Sequence, residues 1–332
     1  MDPLVFEPYF RPQVWGSRRL ADRLGKALPA EGNFGESWEI SGHPQHVSHV
    51  AEGPLAGTSL QELCQRHGRE LFGAQPPQGE FPLLIKYLDC HVPLSVQVHP
   101  NDELARQLLG EDQGKTEAWV ILDADPAARV YAGLRPGTTR ESLEHHLDAG
   151  TVADCLHEFH PQAGDCVFLP AGTVHAVGDG VLIAEVQQTS DATFRLWDWN
   201  RLGPDGKPRA LHRQQALAAI DWSAGPVAPV HPQPLGDLTR NVTGERLVDS
   251  PYFRMDRLQI SGESELAPAG VLSIWMVLGG TAVLQSKGGY RREFSRGETV
   301  LVPAAAPRLE WSPGTAGPVQ LLRVVIPAST QS

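Results

Sequence analysis

Short apolar runs, separated by turn residues, follow one another along most of the chain. Each has six to eight residues, a length typical of buried strands and too short for most core helices. In chain order the runs are PLLIKYLD, LSVQVH, EAWVILDA, RVYAGL, DCVFLP, VLIAEVQQ, FRMDRLQI, VLSIWMVL, TAVLQSK, ETVLVP and VQLLRVVI. The pattern therefore predicts a mainly β protein.

Helical patterns interrupt these runs in two places. In TSLQELCQRHGRELFG (residues 58–73), Thr-Ser precedes a helical apolar period and the pattern ends on glycine, which predicts a helix. TTRESLEHHLDAGTVADCLHEF (residues 138–159) predicts one or two further helical segments. We therefore expect a few helices before and within the first group of strands.

The two ends of the chain resemble each other. GDCVFLPAGTVH, beginning at Gly164, aligns with GETVLVPAAAPR, beginning at Gly297, and EAWVIL aligns with SIWMVL further upstream. Short strands in two copies predict two jelly-roll barrels. GPVAPVHPQPLGD (residues 225–237) is rich in proline and lacks periodicity, so it is the predicted linker between domains at 1–225 and 226–332.

Four polar residues stand in or beside the strands of the first copy. Gln97 and His99 point to the same face because side chains alternate along a strand. Glu117 opens another apolar strand, and His175 follows a Pro-Ala-Gly turn. Two imidazoles, a carboxylate and an amide oxygen can together hold zinc, Fe(II), manganese or nickel. The alternative is that each histidine forms only local hydrogen bonds in the core.

The second copy serves as an internal control for this choice. Ser273 and Arg308 stand where the first copy has Glu117 and His175. A side chain required by the fold itself should be present in both copies, whereas a metal ligand need not be. The comparison favours a metal site in the first copy only.

Composition and charge exclude several classes of protein. The net charge of −11 argues against nucleic acid or an anionic membrane as a partner, because both need a basic face. The N-terminus has no secretory pattern, and the apolar stretch near VLSIWMVLGG is about half a membrane span. The four cysteines form no CxxC motif. A cytoplasmic location is therefore expected, while the oligomeric state is not indicated.

Several motifs resemble known families. The pattern G-x-x-V-x-x-P-x-x-x-x-H is similar to the second motif of the cupin superfamily. FPLLIKYLD, PLSVQVHPND, KTEAW, PAGTVHAVG and SDATFRLWDWNR resemble the type I mannose-6-phosphate isomerases, in their short bacterial form. This resemblance extends from about Tyr9 to His212, and the C-terminal third matches only as a weak cupin-like repeat. It implies two cupin-like barrels, of which the second is degenerate.

The resemblance also implies a reaction and its residues. It predicts the interconversion of mannose 6-phosphate and fructose 6-phosphate with one zinc ion per chain. The implied zinc ligands are Gln97, His99, Glu117 and His175.

Four further residues belong to the active site that the resemblance implies. Asp191 and Arg195 match an aspartate and an arginine of the family's active site. Arg195 is expected to neutralise enediolate charge, and a surface ion pair is the alternative for it. Lys86 and Lys115 are predicted to face the barrel interior and to serve the phosphate or the proton relay. Two other functions stay open at this point: an Fe(II)-dependent cupin oxygenase and a non-catalytic regulator that binds sugar phosphates.

Overall fold

The computed structural model describes residues 1–74, 79–110, 113–202, 206–236, 238–266, 270–315 and 317–327. Strands dominate these residues, and the fold is the predicted mainly β architecture in two copies. No helix within the described ranges combines the length and the apolar character needed to cross a membrane.

The first copy pairs a six-stranded sheet with a five-stranded sheet. Its strands are β1 (Tyr9–Ser17), β2 (Phe34–Ile40), β3 (Leu83–Cys90), β4 (Val96–Val98), β5 (Glu117–Ala124), β6 (Val130–Leu134), β7 (Leu156–Phe159), β8 (Cys166–Leu169), β9 (His175–Val177), β10 (Val181–Gln188) and β11 (Phe194–Trp197). The larger sheet has the order β1-β2-β3-β10-β5-β8, and the smaller has the order β11-β4-β9-β6-β7.

The second copy repeats this arrangement. Its strands are β12 (Gln233–Pro234), β13 (Val242–Asp249), β14 (Arg254–Ile260), β15 (Ser264–Glu265), β16 (Ser273–Gly279), β17 (Thr281–Ser286), β18 (Arg291–Ser295), β19 (Thr299–Val302), β20 (Leu309–Pro313) and β21 (Val319–Val325). They form sheets in the orders β12-β13-β14-β21-β16-β19 and β15-β20-β17-β18. The larger sheets correspond strand for strand. Glu117 opposes Leu169 as Ser273 opposes Val302, so the aligned motifs occupy equivalent places.

Helices lie at the ends of the strands or on the outer faces. They are α1 (Arg19–Leu24), α2 (Leu60–Phe72), α3 (Asp102–Leu109), α4 (Arg140–Ala149) and α5 (Arg213–Ala219). The prediction of α2 is confirmed, because the Ser59 hydroxyl and the Glu62 carboxylate form a capping box at its start. Gly73 ends it. The prediction for 138–159 is right for α4 and a 3₁₀ turn at Val152–Cys155, but wrong for β7, which pairs with β6.

The two larger sheets share an apolar core. Leu83 and Ile85 of β3 pack there with Met255 and Ile274 of the second copy. Because β3 is buried on both faces, it reads as an almost continuous apolar run, and its alternate residues face the interior of the first copy. Lys86 is therefore a charged side chain that points away from the shared core.

The predicted linker is held against the first copy. The amide of Val227 donates to Ala132 O over 3.0 Å, and the amide of Val230 donates to Cys166 O over 2.8 Å. Residues 233–234 already belong to the second copy's larger sheet as β12. Residue 237 lies outside the described residues, and the domain boundary at 225 stays a prediction.

Candidate active site

A cavity of about 290 Å³ opens between the two sheets of the first copy. The predicted residues that line it are Lys86, Gln97, Lys115, Glu117, Asp191 and Arg195. His99 and His175 contact Glu117 at its inner end. All eight residues singled out from the sequence thus lie around one cavity, while their individual roles stay predictions.

His99, Glu117 and His175 form a compact buried cluster. Their ligand atoms all lie within 4.8 Å of one another, and each residue is at most 2% exposed. His99 Nε2 lies 3.4 Å from Glu117 Oε2, and His175 Nε2 lies 3.3 Å from Glu117 Oε1. Gly172, with φ of +89°, makes the turn before β9, and its amide donates to His99 O over 2.9 Å. This turn ties the two histidine segments together.

Hydrogen bonds fix the proton position on both imidazoles. His99 Nδ1 lies 2.7 Å from Ala192 O, and His175 Nδ1 lies 2.9 Å from Thr173 O. Because a backbone carbonyl can only accept, each Nδ1 must carry the hydrogen. Both Nε2 lone pairs therefore point towards Glu117. This tautomer is the one in which a histidine binds a metal through Nε2.

The Glu117 carboxylate lacks the hydrogen bonds that a buried anion needs. Within the described chain neither oxygen accepts a hydrogen bond, although Lys115 Nζ lies 3.0 Å from Oε2 without the direction of one. Burial alone would raise the pKa of Glu117, but the nearby cations, Lys115 above all, hold it well below its usual value. Burial, together with Lys115, lowers the pKa of His99 to about 3. A neutral imidazole pair beside an under-bonded carboxylate fits a divalent cation.

Gln97 stands next to this cluster as a fourth donor. It is paired across the sheet with His175 on one side and with Arg195 on the other. Its Nε2 lies 3.3 Å from His175 Nε2, and its Oε1 accepts from Ser95 Oγ over 3.3 Å. A half-turn of the terminal amide exchanges the oxygen and the nitrogen, so Gln97 can offer either atom to the cluster.

Lys115 contacts the same cluster from the cavity side. Its ammonium lies 3.0 Å from Glu117 Oε2 and 3.2 Å from His99 Nε2. Lys115 and Glu117 share one face of the strand segment that leads into β5, as the alternation of side chains along a strand predicts. Lys115 is therefore the cation nearest to the candidate metal ligands within the described residues.

Lys86 is held by two buried carboxylates. Its ammonium lies 2.9 Å from Glu185 Oε2 and 3.7 Å from Glu36 Oε2. Burial disfavours the charged form, but Glu185 and Glu36 outweigh it and raise the pKa of Lys86. Trp119 Nε1 donates to Glu185 Oε1 over 2.9 Å, which fixes that carboxylate.

Asp191 also lines the cavity. Burial would raise its pKa, but Lys86 and Arg11 hold it below the usual value, so the carboxylate is ionised at neutral pH. Arg11 Nη1 lies 3.3 Å from Asp191 Oδ2 and 3.4 Å from Glu36 Oε2. Arg11 thereby bridges the carboxylates of Asp191 and Glu36.

Arg195 is directly opposite Gln97 in the smaller sheet. Its Nη1 donates to Ala210 O over 2.9 Å, and its Nε has no hydrogen-bond partner in the described residues. No described carboxylate forms an ion pair with it. Burial and the neighbouring Arg209 lower the pKa of Arg195. Its charge is available to a ligand in the cavity.

The second copy has no counterpart of the metal cluster in its described residues. Ser273 is fully buried and accepts a hydrogen bond from Trp275 Nε1 over 2.9 Å. Arg308 is 81% exposed and lies outside the apolar interior. The strand register places Asp256 and Arg323 where the first copy has Lys86 and Glu185, with the charges exchanged.

Four charged residues that line the cavity had no role predicted from the sequence: Arg11, Glu36, Glu185 and Arg209. Glu185 had a visible signal, because it is an isolated carboxylate in the apolar run VLIAEVQQ. Arg209 had none, since it stands in a loop without periodicity. Arg11 and Glu36 fall within the stretch that carries the family resemblance, yet no role followed from their positions alone.

Comparisons with known proteins agree with this geometry. A family model described as phosphomannose isomerase type I, catalytic domain, matches residues 4–130. The mannose-6-phosphate isomerase ManA of Bacillus subtilis is 36% identical over 303 residues, which cover 91% of this chain and 93% of the relative. A mannose-6-phosphate isomerase of Streptococcus mutans is 36% identical over 279 residues, with 84% and 85% covered.

A solved structure extends the similarity to the whole fold. The crystal structure of the mannose 6-phosphate isomerase from Bacillus subtilis superposes with a TM-score of 0.89 at 32% identity. The match covers 98% of this chain and 100% of that one, so both copies of the sheet pair are included.

Proposed function

Since the chain belongs to the type I mannose-6-phosphate isomerase family, we propose that it interconverts mannose 6-phosphate and fructose 6-phosphate. The observation that carries the proposal is the buried cluster of His99, Glu117 and His175, whose Nε2 lone pairs and under-bonded carboxylate converge. The cluster lies at the end of a cavity with charged walls, as a site for an anionic sugar requires.

We propose zinc as the resident metal, with one ion per chain. Gln97, His99, Glu117 and His175 would hold it. Two imidazoles and a carboxylate form a common catalytic zinc set, and an amide oxygen completes four protein donors. When bound, zinc would supply a positive charge that polarises the substrate carbonyl and stabilises the oxyanion. The predicted domain of residues 1–225 contains all four ligands.

An aldose–ketose isomerisation moves a proton between C1 and C2 through an enediolate. Asp191 offers an ionised carboxylate at the cavity wall, able to accept a proton from a substrate hydroxyl. Lys86 is held in its charged form by Glu185, so it is suited to donate hydrogen bonds to the substrate rather than to act as the base. Lys115 is placed to exchange a proton beside the metal ligands.

Arg195 completes the proposed machinery. It is one strand from Gln97, and no carboxylate in the described residues forms an ion pair with it. A guanidinium in that place stabilises negative charge as it develops on the substrate oxygens. Arg195 is therefore proposed to act on the enediolate.

A coupled assay for fructose 6-phosphate formation from mannose 6-phosphate tests the proposal. The purified chain should catalyse the conversion in both directions, and it should not consume oxygen. Glucose 6-phosphate, which differs from the substrate at C2, is the matched comparison. If fructose 6-phosphate does not form while the sugar phosphate still binds, the protein is a regulator rather than an isomerase.

A further inference from the structure

We propose that Arg209, oriented by Asp198, binds the phosphate group of the substrate at the mouth of the cavity. This inference rests on the proposed function, since it names the residue that recognises the phosphorylated end of the sugar. It also assigns different tasks to two arginines that line the same cavity, Arg209 and Arg195.

Asp198 holds the Arg209 guanidinium in a fixed orientation. Arg209 Nε donates to Asp198 Oδ2 over 2.7 Å, and Arg209 Nη2 donates to Oδ1 of the same carboxylate. The Asp198 side chain is only 7% exposed and directly follows β11. Such a two-point ion pair leaves the other edge of the guanidinium, which includes Nη1, to bind a second anion. The described residues provide no hydrogen-bond partner for that edge.

The charges around Asp198 do not balance. Arg201 also donates to the Asp198 carboxylate. Arg201 and Arg209 thus share one aspartate, which leaves a net charge of +1, and Arg195, which forms no ion pair within the described residues, adds a second positive charge at the cavity wall. A phosphate monoester carries about −1.5 to −2 at neutral pH, so it matches this excess closely.

The other cations of the cavity already face carboxylates. Lys86 pairs with Glu185, and Lys115 pairs with Glu117. Arg11 lies between two carboxylates. Among the described lining residues, excess positive charge is therefore concentrated at Arg195 and Arg209, and an anionic substituent is expected to bind there.

The positions of the two arginines separate their tasks. Arg195 is paired across the sheet with Gln97, next to the candidate metal ligands. Its Nη1 contacts Ala210 O, the carbonyl that follows Arg209 in the chain. Arg209 lies in the segment after β11, outside the strand that pairs with Gln97. A hexose 6-phosphate has its phosphate at the end remote from C1 and C2, which fits this order.

The test replaces Arg209 and separates binding from chemistry. Arg209→Met should raise KM for mannose 6-phosphate roughly ten- to hundredfold, the range for one charged hydrogen-bonding group, while kcat changes little. The inhibition constant of inorganic phosphate should rise by a similar factor, and the metal content should stay the same. Arg213→Met is the matched control, because Arg213 also pairs with an aspartate, Asp148, but lies outside the cavity.

Two further measurements keep the proposal open to refutation. Arg209→Lys retains the positive charge but lacks the planar guanidinium with its several N–H donors. It serves as the test variant if Arg209→Met does not fold. Calorimetric titration with inorganic phosphate measures binding without turnover. If wild-type chain binds phosphate but does not isomerise, the proposed function fails alone. If the variants bind phosphate as tightly as wild type, or lose kcat at constant KM, the assignment of Arg209 is wrong.

Discussion

Replacing Arg195 by alanine separates the catalytic role proposed for this residue from a role in substrate binding. The enediolate charge exists only during the reaction, whereas the phosphate charge is present throughout. A group that acts on the enediolate therefore affects kcat and kcat/KM alike, and a group that binds phosphate affects mainly KM. Loss of one electrostatic stabiliser typically lowers kcat by about 10²- to 10³-fold. We expect Arg195→Ala to show a loss of this size.

The structure bounds the competing effect on stability. The Arg195 side chain makes one hydrogen bond in the described residues, to Ala210 O, and it forms no ion pair there. Removing a single bond of this kind should lower the free energy of unfolding by about 1 kcal/mol. A change of this size leaves a stable domain folded, so it cannot account for a hundredfold loss of turnover.

Steady-state kinetics in the coupled assay, with metal analysis of the same samples, measure the effect. Arg195→Lys is the control, because it keeps the charge and should recover part of the rate. Bound metal should remain stoichiometric in both variants. A steep rise in KM with unchanged kcat would show that Arg195 binds phosphate, and the catalytic role would pass to another cavity residue.

Three further predictions concern the metal, the second copy and pH. Glu117→Gln should lose bound zinc and activity together, because the carboxylate supplies the anionic ligand; metal analysis that found full zinc occupancy would contradict this. Ser273→Ala and Arg308→Ala should leave turnover and metal content unchanged, although Ser273→Ala should cost about 1 kcal/mol in urea unfolding because it leaves the Trp275 indole unpaired. Burial would raise the pKa of Asp198, but its arginine partners hold it below 3.8, so its contribution to stability should be present at pH 7 and be lost as pH falls through the lowered pKa. Asp198→Asn should therefore be less stable than wild type at pH 7 and approach it below about pH 4, and a difference that widened on acidification would refute the sign.

Strand alternation explains how much of the site could be predicted from sequence. Gln97 and His99, like Lys115 and Glu117, are two residues apart, so a local rule places each pair on one face. The aligned motifs placed Glu117 and His175 in the first of the two copies. The family resemblance supplied the chemistry, and the cavity brings these residues together.

Contacts between distant strands could not be predicted in this way. Glu185 pairs with Lys86 because β10 lies beside β3, a register that neither strand specifies by itself. Arg209 pairs with Asp198, and the sequence between these two residues has no periodic hydrophobic pattern. Its ion pair depends on where the chain returns to the cavity, which only the folded structure shows.

Local sequence patterns also failed to predict some elements, because tertiary contacts determine the secondary structure there. Residues 156–159 continue a helical pattern, yet they form β7 because the edge of β6 offers unpaired backbone groups. The short helix α3 depends on the Asn101 side chain, which accepts from the Leu104 amide over 2.8 Å. An isolated cap of this kind is a weak signal in sequence.

The central claim, a zinc-dependent isomerase centred on His99, Glu117 and His175, is tested most directly by titrating the metal. Isomerase rate and zinc per chain are measured in the same samples during stepwise chelation and again after zinc is restored. We predict one zinc ion per chain in the active protein, a rate that falls in proportion to bound zinc, and recovery when zinc is returned. Full isomerase activity in metal-free protein would contradict the account.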